Sequence, residues 1–168
     1  MERNADMDPM MADRPLMRNW TFVEGRGNPL YYHTNTISFK SFNYYMSKLF
    51  RDNKIGTYYT SDHLVNEEKQ PVSRESLFST AGRDPETGEL IIKIVNLTDS
   101  LRNTALEAPG SEISGEATIT VLTAENDQKN TPEKPFNVTP TVETRNMSFP
   151  DKIIIEPRSL TIIRIKES

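Results

Sequence analysis

The chain has 168 residues, with 20 Lys and Arg against 24 Asp and Glu, a net charge of −4 and no cysteine. That length suits one domain, or one and a fraction, and can bury a sizeable core. Scattered basic residues in a mildly acidic chain argue against nucleic acid, and the lack of cysteine excludes a disulfide framework, a thiolate metal site and a cysteine nucleophile.

In chain order, the charged start Met1-Glu2-Arg3-Asn4-Ala5-Asp6 lacks the apolar run of a signal peptide. Residues 1–12 place Met7, Met10 and Met11 on one helical face, with Pro9 ending or kinking the helix. Pro15-Leu16-Met17-Arg18-Asn19-Trp20 reads as a short buried strand in which Arg18 would need a partner, and Glu24 to Pro29 reads as a loop. Ser38 to Arg51 is the clearest helix: Phe42, Tyr45, Met46, Leu49 and Phe50 form one apolar stripe, Ser38 or Ser41 can cap its start, and Asp52-Asn53 breaks it.

After the helix the period changes. Thr57 to Thr60 reads as extended, Asn66 to Ser73 as a loop and Ser76 to Ala81 as a strand. Asp84 to Gly88 is a turn by composition, and Leu90 to Asn96 is a strand buried on both faces. Thr104 to Glu107 is a short edge candidate, and Ala117 to Leu122 is β-branched and central. Glu125 to Pro140 is a polar, proline-bearing loop long enough to be functional or to pack over a neighbour. Ile153 to Ile155, a turn, and Leu160 to Ile165 read as a closing hairpin-like pair. Strands at this spacing predict a sandwich from about Ile55 onward, whereas the front holds too little to close a core. All six Tyr and the single Trp lie within the first sixty residues. The combination reads as the tail of a larger protein.

Four stretches together resemble the C-terminal end of glycoside hydrolase family 51, the α-L-arabinofuranosidases. Glu2 to Met7 is similar to the segment at the penultimate barrel helix. Pro15-Leu16-Met17-Arg18-Asn19, then Asn28-Pro29-Leu30, is similar to the last barrel strand and the loop beyond. Tyr44-Tyr45-Met46-Ser47-Lys48-Leu49-Phe50 resembles the last barrel helix. Asp84 to Asn96, with Asn130 to Pro135 and Pro157 to Thr161, looks like the sandwich. The resemblance implies a mainly β chain: residues 1–52 as the remnant of the last βα unit of a (β/α)8 barrel, and 53–168 as a jelly-roll-like antiparallel β-sandwich.

The resemblance also implies a parent enzyme of L-arabinose metabolism. That enzyme would release terminal α-L-arabinofuranosyl units from arabinan or arabinoxylan with retention, without metal or organic cofactor. Retention needs an acid/base carboxyl and a nucleophilic carboxylate roughly 5–5.5 Å apart. In the family these close the fourth and seventh barrel strands, which implies that no catalytic residue lies in this chain. Glu2, Asp6, Asp8, Asp13 and Glu24 read as surface charges, and Glu89 and Glu125 as ordinary boundary charges. His33 and His63 lack metal-ligand spacing.

Asn19 and Trp20, at the end of the strand read as the barrel's last, are the candidate substrate-binding residues, an amide for hydroxyls and an indole for a sugar face. The implied partners are the upstream barrel and, through it, carbohydrate. The stripe Phe42/Tyr45/Met46/Leu49/Phe50 would be covered by the chain itself or by a second copy. No apolar stretch approaches the roughly 20 residues that span a bilayer, so no membrane partner is expected. The parent's compartment is open among cytoplasm, periplasm and exterior. A stand-alone carbohydrate-binding sandwich is the alternative reading. Sequons such as Asn96-Leu97-Thr98 and Asn137-Val138-Thr139 occur near chance frequency.

Overall fold

The computed structural model describes residues 16–22, 29–60, 64–65, 70–71, 77–125 and 128–167. The expected Met-faced helix over 1–12, the carboxylates Glu2, Asp6, Asp8, Asp13 and Glu24, and His63 lie outside the described residues. The chain forms two compact units, one of residues up to Asp52 together with Ala124–Pro140, the other of Asn53–Thr123 together with residues from Thr141 on.

The first unit holds a three-stranded sheet and a helix. Strand β1 (Met17–Asn19) pairs in parallel with β2 (Tyr31–His33), which pairs antiparallel with β3 (Ser38–Lys40). The β2–β3 turn is fixed by Thr34, whose Oγ1 accepts from the N–H groups of Thr36 (3.2 Å) and Ile37 (3.1 Å). Strand β1 is less buried than its apolar run predicted. Leu16 and Met17 are exposed and Arg18 is half-buried, so its charge has access to solvent.

Helix α1 (Phe42–Asp52) starts four residues later than the sequence pattern predicted. Its spacing holds, but Ser38 to Lys40 are recruited as β3, where Phe39 faces Tyr32 and is buried. The cap is therefore Ser41, not Ser38: the Oγ accepts from the N–H of Tyr44 (3.3 Å). Within the single chain Tyr45 is buried and Phe42, Met46, Leu49 and Phe50 are half-buried. The chain itself therefore covers the stripe only in part.

The second unit is built on an antiparallel six-stranded sheet of order β11-β10-β13-β8-β7-β4. Its strands are β4 (Thr57–Tyr59), β7 (Leu77–Arg83), β8 (Leu90–Asn96), β10 (Ser114–Thr123), β11 (Thr141–Ser148) and β13 (Ser159–Glu167). A ladder of β9 (Arg102–Leu106) with β12 (Asp151–Ile155) forms the second layer. Strands β5 (Leu64–Val65) and β6 (Gln70–Pro71) pair with each other, inside a span expected to be partly loop.

The core lies between the two layers. Ile153 and Ile155 of β12 pack on Leu90, Ile92, Ile94, Ile119, Ile163 and Ile165. Period-2 alternation puts Ile91, Lys93 and Ile162 on the opposite face of the six-stranded sheet, and these are buried too. That is why β8 reads as a continuous apolar run. The chain is thus mainly β, and β10, between β11 and β13, is central as expected.

Two connections differ from the sequence reading. Ile153 to Ile155 and Leu160 to Ile165 do not pair: β12 joins β9, and β13 lies between β10 and β8. The intervening turn carries the chain from one layer to the other. There Arg158 adopts φ 45° and Asn96, fully buried, donates to the carbonyls of Glu156 and Ser100 (both 2.9 Å). The whole of β11 was unanticipated.

Candidate functional site

The residues singled out at the front of the chain sit at the end of β1. Asn19 is half-buried and its Oδ1 accepts from the N–H of Thr21 (2.9 Å), capping the single 3-10 turn Trp20–Phe22. This commits its acceptor oxygen to the backbone. Trp20 is half-buried and held edge-on by two rings, Tyr32 at 5.1 Å and Phe39 at 5.4 Å between centroids. Edge-to-face pairs of this kind contribute about 0.5–1.5 kcal/mol each beyond their buried area, so the indole plane is fixed. Two strands, β2 and β3, lie between β1 and the helix.

A third group reaches the indole from far along the chain. Lys129 places its Nζ 5.4 Å from the Trp20 ring centroid. Lys129 belongs to the polar loop that joins β10 to β11, yet Ala124–Pro140 groups with the first unit. The next residue explains why. Asn130 is 2% exposed and donates to the carbonyls of Lys40 (2.8 Å) and Val138 (3.0 Å), while accepting from the N–H of Val138 (2.6 Å). One buried amide therefore ties the loop to β3 and closes the loop on itself.

A second aromatic group adjoins β3. Lys40 holds its Nζ 4.8 Å from the Tyr44 ring and 5.9 Å from the Tyr45 ring. Tyr31 and Tyr44 lie 5.0 Å apart by centroid. Burial first, and then the hydrogen bond with Tyr44, hold the Tyr31 phenol above its ordinary range. It stays neutral at physiological pH.

Two acidic residues of the second unit share one basic partner. Asp84 and Glu89 converge on Arg164: Nη2 donates to Asp84 Oδ2 (2.6 Å) and Nε to Glu89 Oε2 (2.7 Å). Asp84 also accepts from the N–H groups of Glu86 (2.9 Å) and Thr87 (3.1 Å), tightening the turn closed by Gly88 at φ 73°. The Glu86 N–H first, and Arg164 after it, hold the Asp84 carboxyl below its ordinary value. Glu125 exchanges bonds with Gln128. His33 sits half-buried on β2, and no group of three His, Cys, Asp or Glu capable of holding a metal occurs among the described residues. No described helix is long and apolar enough to cross a membrane.

No protein-family model matches the chain. An extracellular exo-α-L-arabinofuranosidase of Streptomyces chartreusis is 32% identical over 87 residues, which is 51% of this chain and 10% of that protein. An arabinose-bound GH51 α-L-arabinofuranosidase superposes on 99% of this chain with a TM-score of 0.83 and 23% identity. This is the fold of one part of a GH51 α-L-arabinofuranosidase. The thermostable GH51 enzyme of Thermotoga petrophila RKU-1 matches 82% of the chain with a TM-score of 0.64 and 18% identity. The chain spans only 25% and 31% of those two solved chains.

Within this GH51-like fold, Trp20 is brought together with Lys129, while Asn19 is turned to its own backbone. Lys129, Tyr32 and Phe39 were not anticipated, and Asn130 was read only as the start of a sandwich-like stretch. The available signal was the length of the loop, which marks it as packed or functional without saying against what.

Proposed function

We propose that the chain is the C-terminal portion of an α-L-arabinofuranosidase, serving as a structural accessory part of that enzyme. Residues 1–52 would continue its barrel and 53–168 form its sandwich, apart from the loop Ala124–Pro140, which groups with the first unit. One observation carries the reading: the likeness extends over 99% of this chain but over only a quarter of the solved arabinofuranosidase. The parent releases terminal α-L-arabinofuranosyl units with retention, in L-arabinose metabolism and without a cofactor. Its acid/base and nucleophile lie in the remainder of the barrel, and carbohydrate reaches this chain through that barrel, with Trp20 as a sugar-facing residue.

The described carboxylates support this assignment of roles. Retaining hydrolysis requires two carboxyls with opposite proton duties flanking one bond. Asp84 and Glu89 instead share a guanidinium, a pairing suited to holding a turn. The test is the native polypeptide. An antibody raised against this chain should capture, from its source, a protein several times larger than 19.2 kDa that hydrolyses an aryl α-L-arabinofuranoside. Capture of a 19.2 kDa protein without that activity refutes the reading.

A stand-alone sugar-binding sandwich draws support from the exposed aromatics Tyr58, Tyr59 and Phe78. Adjacent residues of a strand face opposite sides, so Tyr58 and Tyr59 cannot share one platform. Phe78 is on the face of Gly82, the partner of Tyr58, but four residues along β7, roughly 13 Å away at strand rise. Retardation of the chain in gels containing arabinan or arabinoxylan would favour the module; unchanged mobility favours the accessory part.

A further inference from the structure

We propose that Trp20 and Lys129 form a subsite for a carboxylate-bearing sugar, a hexuronate unit of an acidic oligosaccharide. The inference rests on the reading of Trp20 as sugar-facing and adds the charge of the ligand. The indole offers an oriented apolar surface, fixed by Tyr32 and Phe39. The Lys129 ammonium lies over that ring, and among the described residues no carboxylate is within ion-pair distance of it or of Lys40.

A cation resting on a partly exposed ring is held only weakly. A charge-assisted bond to a carboxylate is roughly twice as strong as a neutral one, so an anion arriving beside the indole takes the ammonium as its partner. A neutral arabinofuranosyl unit has only hydroxyls to offer and leaves that charge unused. The presentation is also preorganised. Asn130 fixes the backbone next to Lys129, so little loop entropy is lost on binding. The same amide binds the carbonyl of Lys40, which brings a second ammonium to the neighbouring Tyr44 and Tyr45 rings. Two ammonium groups thus face aromatic surface in a chain whose net charge is −4.

The test uses the full chain, because Trp20 is its only tryptophan and its emission reports on this site. Trigalacturonate and the neutral arabinotriose are titrated separately against wild type and Lys129→Gln. Trigalacturonate should change the emission saturably, and Lys129→Gln, with an unchanged melting midpoint, should weaken it about tenfold. Raising salt from about 0.02 M to about 0.5 M should also weaken it, because the Debye length shrinks. Equal binding of the neutral sugar, unaffected by Lys129→Gln, overturns the acidic-ligand inference and leaves the sugar-facing reading of Trp20 intact. No response to either sugar overturns both.

Discussion

Replacing Asn130 with Ala removes the amide that ties Ala124–Pro140 together and to β3. Three hydrogen bonds are lost, two donated to the carbonyls of Lys40 and Val138 and one accepted from the Val138 N–H. The site is closed to water: Asn130 is 2% and Val138 3% exposed. Each bond is worth about 0.5–1.5 kcal/mol net, and a buried donor left without a partner costs about 1–3 kcal/mol. The three together give about 3 kcal/mol of destabilisation. Urea unfolding followed by Trp20 emission reads this directly. With a slope of about 2 kcal/mol per molar urea, the midpoint should fall by about 1.5 M. A fall corresponding to less than about 0.5 kcal/mol, the range of an ordinary surface substitution, would refute the assignment of Asn130 as the anchor.

Other expectations concern the sandwich. The Asp84 carboxyl has a folded value below its unfolded one, so its stabilisation is complete above about pH 4, the unfolded range, and is lost as pH falls through the folded value. Wild type should therefore lose more urea resistance between pH 6 and pH 3 than Asp84→Asn, and equal losses would contradict this. The Oγ1 of Thr161 is fully buried with no hydrogen-bond partner among the described residues, so Thr161→Val should raise stability by about 1–2 kcal/mol in thermal melts. An unchanged or lower midpoint would show that the hydroxyl has a partner. At Gly82 an added Cβ would lie 2.1 Å from the Thr57 carbonyl oxygen and 2.3 Å from Ile55 Cγ2, so Gly82→Ala should cost about 1–3 kcal/mol, and a neutral melt would refute the close approach of β4.

The sequence pattern was most legible where burial and local chemistry agree. Leu90 to Asn96 is apolar because both of its faces are buried, and the 84–88 turn is written in Asp84 and Gly88. The helix was legible by its stripe but not by its start. Ser38 to Lys40 fit a helix as well as a strand, and only the pairing of Phe39 with Tyr32 decides. Strand β11, Thr-Val-Glu-Thr-Arg-Asn-Met-Ser, carries one buried side chain, Met147, so no apolar alternation announces it. At the candidate site, Trp20 stood out as the lone indole. Lys129 did not, and Asn130 was read only within a sandwich-like stretch, because the bond that ties the loop to β3 spans 90 residues and leaves no local mark. The separation of β12 from β13 is likewise a tertiary choice: a short turn with Pro157 and Ser159 serves a hairpin and a change of layer equally well.

On the proposed reading, the hydrolytic carboxylates of an α-L-arabinofuranosidase lie outside this chain. The most direct test is the turnover of 4-nitrophenyl α-L-arabinofuranoside by this chain, purified from a host without such an activity. Release of 4-nitrophenol at the rate of the buffer blank is expected at every concentration of the chain. Saturable hydrolysis, proportional to the amount of chain and abolished by replacing one of its own carboxylates, would contradict that reading.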